Sequence, residues 1–204
     1  PEKKPRRQNH AFTNDGLKNK NIRTNSDPVQ QSSNTGNFKK GLLKVTPLGG
    51  LGEVGKNLTV YEYENDIIIV DMGFKFPDNE MLGIDYIIPD VAYLEDKKDK
   101  IRGIFITHGH EDHIGAIPFI WPKLGAPIYG TKLTIGMIES KLSEYSFDTS
   151  GILNVIDPEK DVLKMGAFEV EAFRVTHSIP DAVGYAIKTP VGRVVYTGDF
   201  KIDH

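Results

Sequence analysis

The sequence predicts an α/β sandwich in which helices pack outside the β-sheet. Two observations support this class. Strand patterns come first along the chain, mixed β and α patterns follow, and strand patterns return at the end. The 204 residues are 39% hydrophobic, which is enough to bury a core, so the expected organisation is one domain plus a tail.

The tail is predicted over residues 1–41, which read as disordered because apolar residues are few and show no periodicity. Residues 1–40 carry nine Lys and Arg against three acidic residues, a charge of +6, whereas the whole chain has a net charge of −3. A basic arm can attract a polyanion such as RNA, and it is also typical of an ordinary solubilising terminus. Both interpretations stay open.

The folded part, residues 42–204, is predicted to begin with three strands in an antiparallel meander. Alternating apolar residues bounded by turn residues place these strands at 42–48, 57–63 and 67–70. The glycine-rich turn 49–55 separates the first two strands, and Asp71 directly follows the third.

Helical and strand patterns alternate after a loop over residues 72–90. The predicted order is helix 91–98, strand 101–107, helix 112–123, short strand 127–129 and helix 132–142. Strands close the chain at 151–156, 168–175, 183–189 and 193–197.

The most specific signal is the run HGHEDH at residues 108–113, which follows an apolar strand and opens a helix. His108 and His110 are two apart and can point the same way, while Asp112 and His113 point to a neighbouring spot, so the run can serve two metal ions. Imidazole and carboxylate ligands suit Zn²⁺, Mn²⁺ or Fe. Because the chain has no cysteine, a structural zinc finger is excluded.

Three more residues stand at predicted strand ends. His177 is predicted to be a metal ligand, Asp199 to bridge two ions, and Asp71 to orient ligands or water. Residues at strand ends share a rim of the sheet, so we expect them to lie with the HGHEDH run. The remaining polar candidates are given no role: His10 in the tail, His204 on the surface and Glu111 in a solvated turn.

Taken together, HGHEDH, Asp71, His177 and TGDF resemble the metallo-β-lactamase superfamily, whose signature is H-x-H-x-D-H with a later His and Asp. Within it, PLGGLGEVGKN, ITHGHEDHIGAIPF, THSIPD and YTGDFKID resemble the bacterial ribonuclease J group of the β-CASP branch. The resemblance covers about residues 42–204 and implies the N-terminal part of a metallo-β-lactamase-type αββα sandwich.

The resemblance also implies a site for two divalent ions, with Zn²⁺ as the first expectation and Mn²⁺ as the alternative. The implied ligands are His108, His110 and His177 for one ion, Asp112 and His113 for the other, and Asp199 as the bridge. Asp71 matches the family's first acidic motif, so the expected catalytic residues are Asp71, Asp112 and Asp199.

The implied activity is hydrolysis of RNA, both endonucleolytic and 5′-to-3′ exonucleolytic, in RNA processing and decay. The implied partners are single-stranded RNA with a 5′-monophosphate and further copies of the protein in a homodimer or homotetramer. With no apolar run that fits a membrane span and no signal-peptide core, we expect a cytoplasmic location. The chain stops at His204, where the family's β-CASP insertion would begin, so we expect an inactive fragment of a longer protein.

Two alternatives remain at this stage. The first is a hydrolase of a thioester, lactone or lactam on the same fold, because the metal core alone does not select an electrophile. The other is an RNA-degradation scaffold with an inert site.

Overall fold

Two β-sheets run through the part of the chain that this computed structural model describes, residues 41–202. The first sheet has six strands in chain order, β1 to β6, and the second has four in the order β10, β9, β8, β7. The strands are β1 Leu43–Gly49, β2 Leu58–Tyr63, β3 Asp66–Val70, β4 Ile101–Phe105, β5 Ile128–Gly130, β6 Leu153–Val155, β7 Val162–Met165, β8 Phe168–Arg174, β9 Val183–Thr189 and β10 Gly192–Tyr196. The predicted tail up to residue 40, with His10, and the terminal His204 lie outside the described residues.

The first three strands form the predicted antiparallel meander, and β3 to β6 then run parallel. Each parallel pair is joined through helical segments, as a crossover between parallel strands requires. Val70 of β3 lies opposite Phe105 of β4. The two strands therefore end side by side at one rim of the sheet.

The connecting helices are α1 Ala92–Glu95, α2 Glu111–Ile114, α3 Ile117–Leu124 and α4 Lys132–Ser143. The last of these agrees with the predicted helix at 132–142. The predicted helix at 91–98 is shorter than expected, because only α1 and a 3₁₀ turn at Lys98–Lys100 form there.

The predicted helix at 112–123 is interrupted between α2 and α3 by long-range hydrogen bonds. The carbonyl oxygen of Asp112 accepts from the backbone N–H of Asn57 at 3.1 Å, and the N–H of Ala116 donates to the carbonyl oxygen of Met72 at 3.0 Å. These bonds replace the helical bond that would join residues 112 and 116. The break therefore comes from tertiary contacts.

Alternate residues of β3 face two different cores. Ile67 and Ile69 pack against the helices, whereas Ile68 and Val70 pack against the second sheet, and all four are fully buried. A strand buried on both faces is expected to be apolar throughout, as this one is. Helices, first sheet and second sheet thus form successive layers, as the α/β sandwich predicts.

The closing strands of the sequence prediction correspond to β6, β8, β9 and β10. One strand was missed: β7, which pairs antiparallel with β8 at the edge of the second sheet. Its exposed and half-buried residues alternate over only four positions, too few for a periodic signal. Within residues 41–202, no helix is long and apolar enough to cross a membrane.

Candidate metal centre

Asp71 occupies the rim where β3 and β4 end. It is fully buried and has a φ of 62°, a left-handed conformation that Asp adopts more readily than most residues. Its carboxylate accepts from the backbone N–H of Thr107 at 2.9 Å and from the Thr107 hydroxyl at 3.0 Å. The other oxygen lies 2.8 Å from Nδ1 of His113. Asp71 is therefore placed to orient a predicted ligand from beneath the rim.

Three imidazole nitrogens meet above this point. Nε2 of His108 lies 3.0 Å from Nδ1 of His110, which lies 3.2 Å from Nε2 of His177. Nitrogens bound to one tetrahedral Zn²⁺ at about 2.0–2.1 Å lie about 3.3 Å from one another. The donor atoms thus have the spacing that a single bound ion requires, and they join the segment after β4 to the loop after β8.

The Thr107 hydroxyl fixes which ring nitrogens face the rim. It lies 3.0 Å from Nδ1 of His108 and 3.3 Å from Nδ1 of His113. Because the hydroxyl donates to Asp71, it can accept from Nδ1–H of His108, which leaves the Nε2 lone pair directed at the rim. Burial, followed by the nearby charge of His113, lowers the pKa of His108 to about 3. His108 is therefore neutral at ordinary pH, as a metal ligand must be.

A second group of candidate ligands surrounds Nε2 of His113. This atom lies 3.5 Å from Oδ2 of Asp112 and 3.6 Å from Oδ2 of Asp199. His108, His113 and Asp199 also lie close enough together to hold one ion. Oδ2 of Asp199 lies 3.8 Å from Nε2 of His177, so this carboxylate stands between the two groups. That position fits the predicted bridge.

The electrostatics of the second group favour a cation. Burial lowers the pKa of His113, but the carboxylates of Asp71, Asp199 and Asp112 outweigh burial and raise the pKa to about 10. Asp199 has a pKa lowered to about 2, chiefly by its interaction with His113. Carboxylate charge is thus concentrated around a single imidazole.

Two glycines permit the close backbone packing around these residues. A Cβ added at Gly73 would lie 1.5 Å from the carbonyl oxygen of Asp112. Gly198, just before Asp199, has a φ of 60° and packs against Thr107 and the carbonyl of Val183. Neither position accommodates a larger side chain without movement of the rim.

Two residues that contact the predicted ligands were missed. Glu111, expected in a solvated turn, is the first residue of α2; its side chain is 42% exposed, and its carboxylate ion-pairs with Lys141 of α4 at 2.9 Å. Thr107 and Asn57 both contact predicted ligands. Thr107 is a polar residue at the end of an apolar strand and could have been noticed. Asn57 lies more than 50 residues from the residues that it contacts, and no local signal marks it.

A family model described as the metallo-β-lactamase superfamily matches residues 51–203. Since the match takes in most of the chain, the chain belongs to this superfamily. Membership implies divalent metal binding, and His108, His110, His177 and Asp199 are residues that could hold a metal.

Among curated proteins, this chain is similar to bacterial ribonucleases J. It is 46% identical to ribonuclease J2 of Bacillus subtilis, over 79% of this chain and 29% of that protein. It is also 46% identical to ribonuclease J of Helicobacter pylori, over 81% of this chain and 24% of that protein, and 43% identical to ribonuclease J of Thermus thermophilus, over 79% and 29%. The chain thus spans 24% to 29% of the length of these relatives.

Solved structures share the fold. The metallo-β-lactamase fold protein YhfI from Bacillus subtilis has a TM-score of 0.55 and 19% identity, covering 79% of this chain and 64% of that one. The short form of human tRNase Z has a TM-score of 0.51 and 20% identity, covering 76% and 68%. At these identities the likeness concerns the fold alone.

Proposed function

We propose that this chain is part of a metal-dependent ribonuclease of the ribonuclease J type, which hydrolyses phosphodiester bonds of RNA. The observation that carries the proposal is the position of the Asp199 carboxylate. Its Oδ2 lies 3.6 Å from His113 and 3.8 Å from His177, and its side chain is 48% exposed at an open rim. A carboxylate so placed can bridge two ions where a long substrate has access.

The proposed cofactor is a pair of divalent ions, Zn²⁺ first and Mn²⁺ as the alternative. His108, His110 and His177 would hold one ion, Asp112 and His113 the other, and Asp199 both. When bound, such a pair stabilises charge on phosphoryl oxygens and lowers the pKa of water. The residues fit because donors converge in two groups, His108 with His110 and His177, and His108 with His113 and Asp199, while Oδ2 of Asp112 lies 3.5 Å from Nε2 of His113. A donor set of imidazole and carboxylate without thiolate suits these metals.

The chain's own residues prepare this site from below. Asp71 accepts from Nδ1 of His113, and Thr107 accepts from Nδ1 of His108, so each ring presents Nε2 to the rim. Such buried partners fix the orientation and raise the basicity of histidine ligands. Asp112 is one-third exposed and Asp199 about half, so these two carboxylates face the substrate side.

The choice of RNA over other substrates comes from the relatives, because the metal core alone does not choose an electrophile. Identity of 43% to 46% to proteins named ribonuclease J favours a phosphodiester of RNA over a thioester, lactone or lactam. We further propose single-stranded RNA with a 5′-monophosphate as substrate and both exonucleolytic 5′-to-3′ and endonucleolytic cleavage. A homodimer or homotetramer and a cytoplasmic location complete the proposal.

The test is digestion of a 5′-monophosphorylated RNA and its 5′-triphosphorylated twin by the full-length protein, with Zn²⁺ or Mn²⁺. Asp199→Ala should abolish metal-dependent cleavage, whereas Asp96→Ala, which changes an exposed carboxylate just after α1, should retain it. Faster loss of the monophosphorylated RNA is expected. If wild-type protein degrades neither RNA, the proposal fails, and acyl substrates or a scaffold role take its place. Cleavage by Asp199→Ala at the wild-type rate would remove Asp199 from the mechanism.

A further inference from the structure

We infer that Asn57 is a positioning residue for the second ion, the one assigned to Asp112, His113 and Asp199. The inference rests on the proposed two-ion site. Asn57 is the residue just before β2, two positions after the glycine-rich turn, and it contacts Nε2 of His113, whereas Asp71 contacts Nδ1 of the same ring.

The side-chain amide of Asn57 contacts two of the ligands. Its Nδ2 donates to the carbonyl oxygen of Asp112 at 3.0 Å and lies 3.4 Å from Oδ2 of the same residue. The same nitrogen lies 3.1 Å from Nε2 of His113. One amide group therefore holds the backbone and carboxylate of Asp112 and lies against the ring of His113.

The direction of the bonds to Asp112 is fixed, because the amide nitrogen of Asn57 donates and the carbonyl and carboxylate oxygens of Asp112 accept. An ion bound through Nε2 of His113 would replace the 3.1 Å contact between that atom and Asn57 and leave the two bonds to Asp112 in place. The amide would then keep the Asp112 carboxylate beside that ion.

The backbone gives Asn57 little freedom to move away. Its N–H donates to the carbonyl of Asp112 at 3.1 Å, and its own carbonyl accepts from the N–H of Gly73 at 2.9 Å. Lys56, just before it, has a φ of 56° and donates its N–H to the carbonyl of Phe74 at 3.0 Å. A side chain whose backbone is hydrogen-bonded on both sides is suited to hold a ligand at a set distance.

The contacts are specific to one half of the site. Across residues 41–202, the side-chain hydrogen bonds of Asn57 go to Asp112 and His113, while His108, His110 and His177 are held by Thr107 and by one another. Loss of the amide should therefore lower the affinity for the second ion and leave the affinity for the first ion unchanged. Loss of a residue that only stabilises the fold would not lower the affinity for one ion alone.

The experiment is calorimetric titration of the metal-free full-length protein with Zn²⁺, together with its melting temperature. Asn57→Leu removes both amide N–H groups at similar size and leaves the backbone bonds intact. Asn57→Ala removes the same groups without added apolar volume and serves if the leucine variant folds poorly. Asp112→Asn identifies which binding event belongs to the second ion.

The matched control is Asn154→Leu. Asn154 is a half-buried residue of β6 whose amide donates to the carbonyls of Ile152 at 2.8 Å and Ile128 at 3.3 Å. The same chemical change there should lower the melting temperature and leave both ion affinities unchanged.

We expect Asn57→Leu and Asn57→Ala to weaken the second binding event about 10- to 100-fold, with the first event unchanged. Equal weakening of both events, or no change in either, would overturn the role of Asn57. If the wild-type protein binds a single ion, the two-ion site fails and this inference with it. Two bound ions without any cleavage of RNA would refute the proposed activity alone.

Discussion

Replacement of Gly73 by alanine should displace the turn that carries Asp112 and His113. The added Cβ would lie 1.5 Å from the carbonyl oxygen of Asp112 and 2.6 Å from the N–H nitrogen of His113. Ordinary contact begins at 3.4 Å, so the two backbones must separate by about 2 Å. Both atoms belong to backbone, which cannot rotate out of the way as a flexible side chain can.

Such a movement breaks the hydrogen bond from Met72 to His113 at 2.8 Å and that from Asn57 to Asp112 at 3.1 Å. Overpacking costs about 1–3 kcal/mol, and each lost hydrogen bond about 0.5–1.5 kcal/mol. Gly73→Ala should therefore lose about 2–6 kcal/mol of unfolding free energy in urea, and its affinity for Zn²⁺ should fall at least tenfold.

Gly136→Ala is the matched control for this substitution. Gly136 lies inside α4, and a Cβ added there meets nothing within 4 Å. Alanine has the higher helix propensity, so this variant should gain up to about 1 kcal/mol. If Gly73→Ala unfolds at the wild-type urea midpoint and binds Zn²⁺ with wild-type affinity, the steric reasoning is refuted.

Three further predictions concern the site and the first sheet. Asp71→Asn keeps the size and suits the left-handed backbone but removes the charge that faces His113, so it should cost about 1–3 kcal/mol in urea unfolding; an unchanged midpoint would contradict this. Chelation by EDTA should lower the melting temperature of metal-loaded protein, because free ion at 100 times its Kd stabilises by about 2.7 kcal/mol; equal melting curves would argue against a bound ion. Glu62 accepts from Tyr93 at 2.6 Å and Lys97 at 2.9 Å, and although burial raises the pKa of Glu62, these two bonds outweigh burial and lower it below 4.5. A carboxylate whose pKa is lowered by folding stabilises the protein above pH 4.5, and this stabilisation is lost as the pH falls through the lowered pKa. Glu62→Gln should therefore destabilise the protein by up to about 1 kcal/mol at pH 7, and the difference in stability between variant and wild type should disappear below pH 4.5. A difference that stays constant with pH would show that Glu62 is not stabilised in this way.

The strands were predictable because their burial requires apolar residues at regular positions in the sequence. β3 is apolar on both faces, and β9 is bounded as its pattern predicts, at Val183–Thr189. Short helices have a weaker sequence pattern, since a single turn such as α1 depends on tertiary packing rather than on helix propensity. The break between α2 and α3 depends on Asn57, far away in sequence.

The candidate site shows the same division. The HGHEDH run and His177 could be found because metal ligands have restricted residue types at restricted spacings. The residues that support them are Thr and Asn, which occur throughout the sequence for other reasons. Thr107 and Asn57 are distinguished only by the predicted ligands that they contact. A linear sequence does not contain that information.

Both ends of β3 carry a carboxylate: Asp66 begins the strand, and Asp71 directly follows it. At the far end, Asp66 accepts from the backbone N–H of Ala167 at 2.8 Å and from Arg102 at 2.6 Å, which fastens the second sheet to the first. Five strand residues place that fastening about 17 Å from the rim. Near the rim the two sheets are joined again, because the N–H of Val183 donates to the carbonyl of Thr107 at 3.0 Å and the hydroxyl of Tyr185 donates to the carbonyl of Ile106 at 2.7 Å. Bonds at both ends of β3 therefore hold the two sheets together, and with them the separation of His177 from His108 on which the proposed metal centre depends.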